Sequence, residues 1–136
     1  MKSREPKYAT FDQAKWLKEK DFDVEVQWAF DQNGEDYKDE HWDINYNSPS
    51  YNCYSKPEQH QVVEWLRVNH GIWVRVEGDN YGEYWFAKLS VCSKKVWENL
   101  ELRTKILKSA FYMGEYRSPQ EAYSAAFDYI KNENLI

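Results

Sequence analysis

The sequence predicts an α+β fold: two helix-plus-antiparallel-hairpin units (α-β-β repeated), then one or two C-terminal helices. Three observations carry that expectation. Helix start signals open amphipathic stretches near residues 10, 55 and 118, period-two apolar alternation follows the first two, and a Trp-Leu pair sits inside each of those two helices, at Trp16-Leu17 and Trp65-Leu66.

Thr10-Phe11-Asp12-Gln13 fits a capping box, in which the Thr hydroxyl accepts from the third helical N–H while Gln13 reaches back. A helix is expected from there to about Lys20, with Phe11, Ala14 and Leu17 on its apolar face and Trp16 at the flank. Phe22, Val24, Val26, Trp28 and Phe30 alternate with Asp23, Glu25, Gln27 and Ala29, the pattern of a half-buried strand. Asp31-Gln32-Asn33-Gly34-Glu35 turns the chain, and a return strand is expected to carry Trp42, Ile44 and Tyr46 inward with His41, Asp43 and Asn45 outward.

Residues 47–57 are rich in turn formers and form the linker. Ser55 and Glu58 read as a second capping box for a helix to about Asn69, with Val62, Val63 and Leu66 facing the core and Trp65 at the flank; His70-Gly71 stops it. Ile72, Val74 and Val76 alternate with Trp73, Arg75 and Glu77. After the turn Gly78-Asp79-Asn80-Tyr81-Gly82, the residues Trp85, Ala87, Leu89 and Val91 form the inward set of a second return strand. Residues 10–46 and 57–92 thus read as an internal repeat of about 50 residues inside a single domain, 1–136. Each Trp-Leu helix is expected to cover its own hairpin, because a lone hairpin is marginal in water.

The C-terminal helical segment, 94–133, opens without a clear start signal: Val96, Leu100 and Leu107 suit a helix that lacks a clear cap, and a short strand is expected near Phe111-Tyr112-Met113. Ser118-Pro119-Gln120-Glu121 starts the last helix, with Ser as N-cap and Pro at the first helical position. Ala122, Ala126 and Tyr129 with Tyr123, Phe127 and Ile130 supply its broad apolar face.

A chain of 136 residues with 42% hydrophobic and 18% aromatic content can build a core without disulfides or metals. No apolar run approaches the roughly 18–20 residues that span a bilayer, and the first residues lead into no signal-peptide core, so a cytoplasmic protein with no membrane partner is expected. Cys53 and Cys92 then read as two reduced thiols. The net charge of −5 is the opposite of a phosphate-binding footprint, which makes nucleic acid a disfavoured partner.

No stretch carries a catalytic, metal or nucleotide signature, so neither a cofactor nor catalytic residues are expected. His41 and Asp43 share a strand face that reads as solvated, His60 and His70 sit near opposite ends of one helix, and neither cysteine lies on a glycine-flanked elbow. Gly78 to Gly82 is a hairpin turn, since no Lys-Ser/Thr follows it. The acidic residues Asp36, Asp39, Glu40 and Asp43 lack the order of a calcium loop.

The aromatic excess is more informative. Trp28, Trp42, Trp85, Phe30 and Phe127 fall on inward phases, whereas Phe86 and six further residues fall outward or in loops. Those six, Tyr37, Tyr51, Tyr54, Trp73, Tyr81 and Tyr84, are expected to pack against the other unit or, where they stay exposed, to serve as candidate partner-binding residues.

The runs from Ser118 to Phe127, Glu64 to Arg67 and Trp73 to Val76 resemble small proteins of phages and prophages of Bacteroides-type bacteria, over about the last 80 residues. That resemblance implies a bacterial or phage cytosolic setting and no assigned activity. Residues 57–133 also follow the helix, hairpin, strand, helix order of double-stranded RNA-binding domains. Their final helix starts acidic at Ser118-Pro119-Gln120-Glu121, where that family needs lysines, and the charge disfavours the reading. The expectation is a non-catalytic interaction or accessory protein, with two alternatives: a small enzyme or small-molecule binder with a site between the repeat units, and the nucleic-acid module.

Overall fold

The computed structural model describes residues 7–79, 81–109 and 114–136. They form an α+β protein with antiparallel sheets. The chain divides into two compact units, residues 1–62 and 63–136.

In the first unit, α1 (Phe11–Glu19) begins with the expected capping box: Gln13 N–H donates to Thr10 Oγ1 at 3.2 Å, and Thr10 N–H donates to Gln13 Oε1 at 3.0 Å. Trp16 is buried together with Gln13, Ala14 and Leu17, not set at the flank. After the helix the chain stays extended and bends at Gln27, so the expected long strand shrinks to β1 (Trp28–Phe30). Ala29, expected on the wet face, is fully buried, whereas Phe22 and Val26 are buried as expected.

β1 pairs antiparallel with β2 (Asp36–Tyr37) across a turn whose Asp31 Oδ1 accepts from Asn33 N–H and Glu35 N–H, at 2.8 and 3.0 Å. Its other edge takes β3 (Tyr54–Lys56), giving the order β2-β1-β3. A strand has two edges, and both are used. The return strand expected over Trp42, Ile44 and Tyr46 does not form beyond β2, leaving one bridge between Val26 and Ile44. Trp42 is 63% exposed rather than inward, while Tyr46 is fully buried.

Ser55 sits inside β3 and caps nothing. Its Oγ is buried without a hydrogen-bond partner among the described residues. The helix α2 (Gln59–His70) is instead opened by Glu58, whose N–H donates to Gln61 Oε1 at 2.9 Å, the reach-back half of a capping box. Its Trp65 and Leu66 are both buried.

In the second unit, Gly71 turns α2 into β4 (Ile72–Gly78), which pairs antiparallel with β5 (Trp85–Val91) in the register Ile72↔Val91 to Gly78↔Trp85. Ile72, Val74, Ala87 and Leu89 are buried on one face, and Trp73 is exposed on the other, as the alternation predicts. Trp85 and Trp28 are half-buried, short of the full burial their inward phases imply. The buried face of the hairpin is covered chiefly by α4 and α5.

The stretch without a clear cap proves to be two helices, each with its own. Ser93 Oγ accepts from Val96 N–H at 3.4 Å to open α3 (Lys94–Glu98), and Asn99 Oδ1 accepts from Leu102 N–H at 3.1 Å to open α4 (Leu100–Ser109). The break at Asn99 rotates the apolar face, so Ile106 is fully buried while Leu100 and Leu107 are exposed. The strand expected near residues 111–113 lies outside the described residues. Trp85 and Tyr116 exchange backbone hydrogen bonds at 2.6 and 2.8 Å.

Ser118 caps α5 (Pro119–Asn132), its Oγ accepting from Glu121 N–H at 3.2 Å. Ala122, Ala126, Phe127 and Ile130 are fully buried, and burial of Phe127 and Ile130 contributes about 1.5–3 kcal/mol each. Tyr129 is half-buried and donates its hydroxyl to the Lys105 carbonyl at 3.0 Å. No helix among the described residues is long and apolar enough to cross a membrane.

Candidate functional site

The six outward aromatics divide between the units. In the first, β2 delivers Tyr37 to the surface, 37% exposed. The loop that follows folds back on Tyr46. Its ring meets Tyr37 at 5.9 Å and 79° and Tyr51 at 5.4 Å and 65°, both edge-on geometries that aromatic pairs favour. The Tyr46 hydroxyl accepts from Asp39 N–H at 3.0 Å.

Asn47 pins the same loop on two sides, donating through Nδ2 to the Phe22 carbonyl and accepting through Oδ1 from Ser55 N–H, each at 2.9 Å. Tyr37 and Tyr51 thereby converge, with Asp31, Asn52 and Cys53, on a cleft of about 220 Å³. Asp31 and Asn52 are held as well: Asp31 by the turn amides, Asn52 by Gln32 Nε2, which donates to its carbonyl at 3.0 Å.

Burial pushes the Cys53 thiol up from its usual range; Lys18 pulls it back and Asp39 adds to the rise. Cys53 Sγ lies 3.7 Å from the Tyr46 carbonyl, and its own carbonyl accepts from Lys18 Nζ at 2.8 Å. Tyr37 and Tyr51 are raised too, first by burial and then by the negative charge of Asp39. All three groups thus stay protonated at neutral pH. Tyr54, the third candidate of this unit, stands apart: its ring packs edge-on against Phe11 at 5.7 Å with Lys18 Nζ over it at 5.2 Å, and its hydroxyl donates to Gln32 Oε1 at 3.4 Å.

In the second unit, Trp73 is 43% exposed with the Arg75 guanidinium over its ring at 5.4 Å. Tyr81 is 86% exposed at the hairpin turn, and Tyr84 is half-buried. Among the described residues these rings do not line the clefts around Cys53, Cys92 or Tyr129. The second of these, of about 380 Å³, forms around Arg67, His70, Cys92, Ser93 and Lys95. Burial raises the Cys92 thiol, opposed by Arg67, and the thiol donates to the Arg67 carbonyl at 3.8 Å. It too remains protonated, which argues against a nucleophile.

His41 and Asp43 are exposed on the loop, His60 pairs with Glu58, and His70 packs edge-on against Trp65 with centroids 4.6 Å apart. Both cysteines are free. Among the described residues no group of three or more His, Cys, Asp and Glu side chains is placed to hold a metal.

Sequence reasoning missed Trp42 and Trp97, the latter 50% exposed on α3 with Arg103 over its ring at 4.9 Å. It also missed Tyr46 as the pillar of the cleft. Its inward phase was legible, but not the rings it would support. The described residues form an α+β protein with clefts of about 220 and 380 Å³ and exposed aromatic rings. No family model, curated protein or solved structure matches the chain.

Proposed function

We propose that this chain is a non-catalytic protein-interaction or accessory protein, of phage or prophage origin, that engages its partner at the Tyr37–Tyr51 cleft. The observation that carries the reading is convergence: two outward tyrosines, separated in sequence by a whole loop, share one cleft with Asp31 and Asn52 and are braced by buried Tyr46. Rigid tyrosines contribute contact area at low entropy cost, which is why they mark binding surfaces.

At about 220 Å³ the cleft is smaller than the roughly 300–1,000 Å³ of sites that enclose small molecules. It suits one side chain of a larger partner. The protonated Cys53 thiol supports the non-catalytic reading, and the phage setting rests on the resemblance of the Ser118 to Phe127 run.

The test is co-purification of the tagged chain from its native host, with mass spectrometry of what it retains, in parallel with Tyr37→Ala and Tyr51→Ala. A macromolecular partner held by the parent and weakened by about 2 kcal/mol in either variant is expected, the size of an interface hot spot. Recovery of a bound metabolite and no macromolecule would overturn the proposal.

A further inference from the structure

We propose that the Tyr37–Tyr51 cleft takes a cationic side chain of the partner, arginine in preference to lysine. This rests on the reading that the cleft is where a partner docks, and it names the chemistry that docks there.

Two observations on independent footing point to a cation. The first is the wall: the two tyrosine rings flank the buried Tyr46, and an aromatic face attracts a cation through its quadrupole. This protein already uses that contact repeatedly, with Lys38 over Trp28 at 5.2 Å and Lys56 over Phe30 at 5.1 Å. The second is the field. Residues 31–43 bring Asp31, Glu35, Asp36, Asp39, Glu40 and Asp43 against Lys38 alone. Of these, Asp36 is neutralised by Lys56 at 2.7 Å.

The charge reaches the cleft itself, since Asp39 raises the proton affinity of Tyr37, Tyr51 and Cys53 alike, and Glu40 adds to that of Tyr51. The opposing cation, Lys18, is held on the Cys53 carbonyl. An anionic side chain would meet repulsion here. An apolar one would strip water from Asp31 and Asn52 without replacing their hydrogen bonds. A guanidinium is planar and weakly hydrated, so it can stack on a tyrosine while donating to a carboxylate; an ammonium cannot stack in that way.

The experiment titrates the full chain, followed by NMR, with blocked tripeptides Gly-Arg-Gly, Gly-Lys-Gly, Gly-Phe-Gly and Gly-Glu-Gly. Saturable shifts at Tyr37, Tyr51 and Cys53 are expected with the arginine peptide, weaker ones with lysine, and none with glutamate. Tyr51→Leu should weaken the arginine peptide at least fivefold, and Tyr81→Ala should leave it unchanged. Binding of the phenylalanine peptide in preference to arginine would overturn the cation and leave the docking cleft standing. No shift with any peptide would also overturn it, while the co-purification variants decide the docking reading separately.

Discussion

Gly71 offers a measurable test of how the second unit is packed. It leaves α2 at φ +67, in the left-handed region, and a Cβ built on it would lie 2.2 Å from Ser93 Cβ and 3.2 Å from Val96 Cγ2. Carbon atoms pack at about 3.5–4.0 Å, so Ser93 would have to move by roughly 1.5 Å. Ser93 is the N-cap of α3, and its neighbour Cys92 donates its N–H to the Gly71 carbonyl at 2.9 Å. Gly82 is the control. It has φ +70 and no atom within 4 Å of the added Cβ.

Gly82→Ala should therefore cost only the left-handed backbone, about 1–2 kcal/mol. Gly71→Ala should cost that plus an overpacking penalty of about 1–3 kcal/mol, or about 2–5 kcal/mol together. Both positions lie in the second unit, so urea unfolding of the two variants reports on the same packing. Amide exchange at Val96 should quicken in Gly71→Ala alone, because α3 loses its cap. Equal destabilisation of the two, within about 0.5 kcal/mol, would refute the placement of Ser93 against Gly71.

Two further outcomes follow from the titratable groups whose proton affinity is raised. Tyr37 and Tyr51 bind their protons more tightly when folded than at their ordinary value of 10.0, so the stability they contribute is complete below pH 10 and is lost as pH rises through the raised folded values. The urea midpoint should fall above pH 10, less steeply in Tyr51→Phe, and tyrosinate absorbance should appear later in the folded chain than in urea; identical slopes in parent and variant would contradict this. Alkylation by iodoacetamide near pH 8 should modify exposed Cys92 first and buried Cys53 only on unfolding. Parallel modification of both thiols would show that Tyr46 and its loop do not seal Cys53.

Much of the architecture is legible in sequence because the signals act over a few residues. Thr10 and Gln13 cap α1, Ser118 and Glu121 open α5, and the alternation from Ile72 to Val91 specifies a hairpin, all through hydrogen bonds or periodicities that need no distant partner. Leu17 and Leu66 are buried as that patterning places them, whereas Trp16 and Trp65, expected at the flanks, are buried as well. The failures lie where pairing with a distant segment decides. Ile44 and Tyr46 have strand-like spacing, but the return strand stops pairing at Tyr37 and meets the chain again only at the Val26–Ile44 bridge. Ser55 has the spacing of a cap, but pairing with Ala29 draws it into β3.

The candidate site divides in the same way. That Tyr37, Tyr51, Tyr54, Trp73, Tyr81 and Tyr84 fall outside the regular apolar pattern is written in the sequence by itself, as is the absence of a catalytic or metal motif. That Tyr37 and Tyr51 meet, that Tyr54 is spent against Phe11, and that Trp42 turns outward were decided only by the tertiary structure. The reason is physical: periodicity says which side of an element is apolar, whereas a cleft needs two chain segments brought together, and here Tyr46 and Asn47 do that through contacts no local pattern encodes.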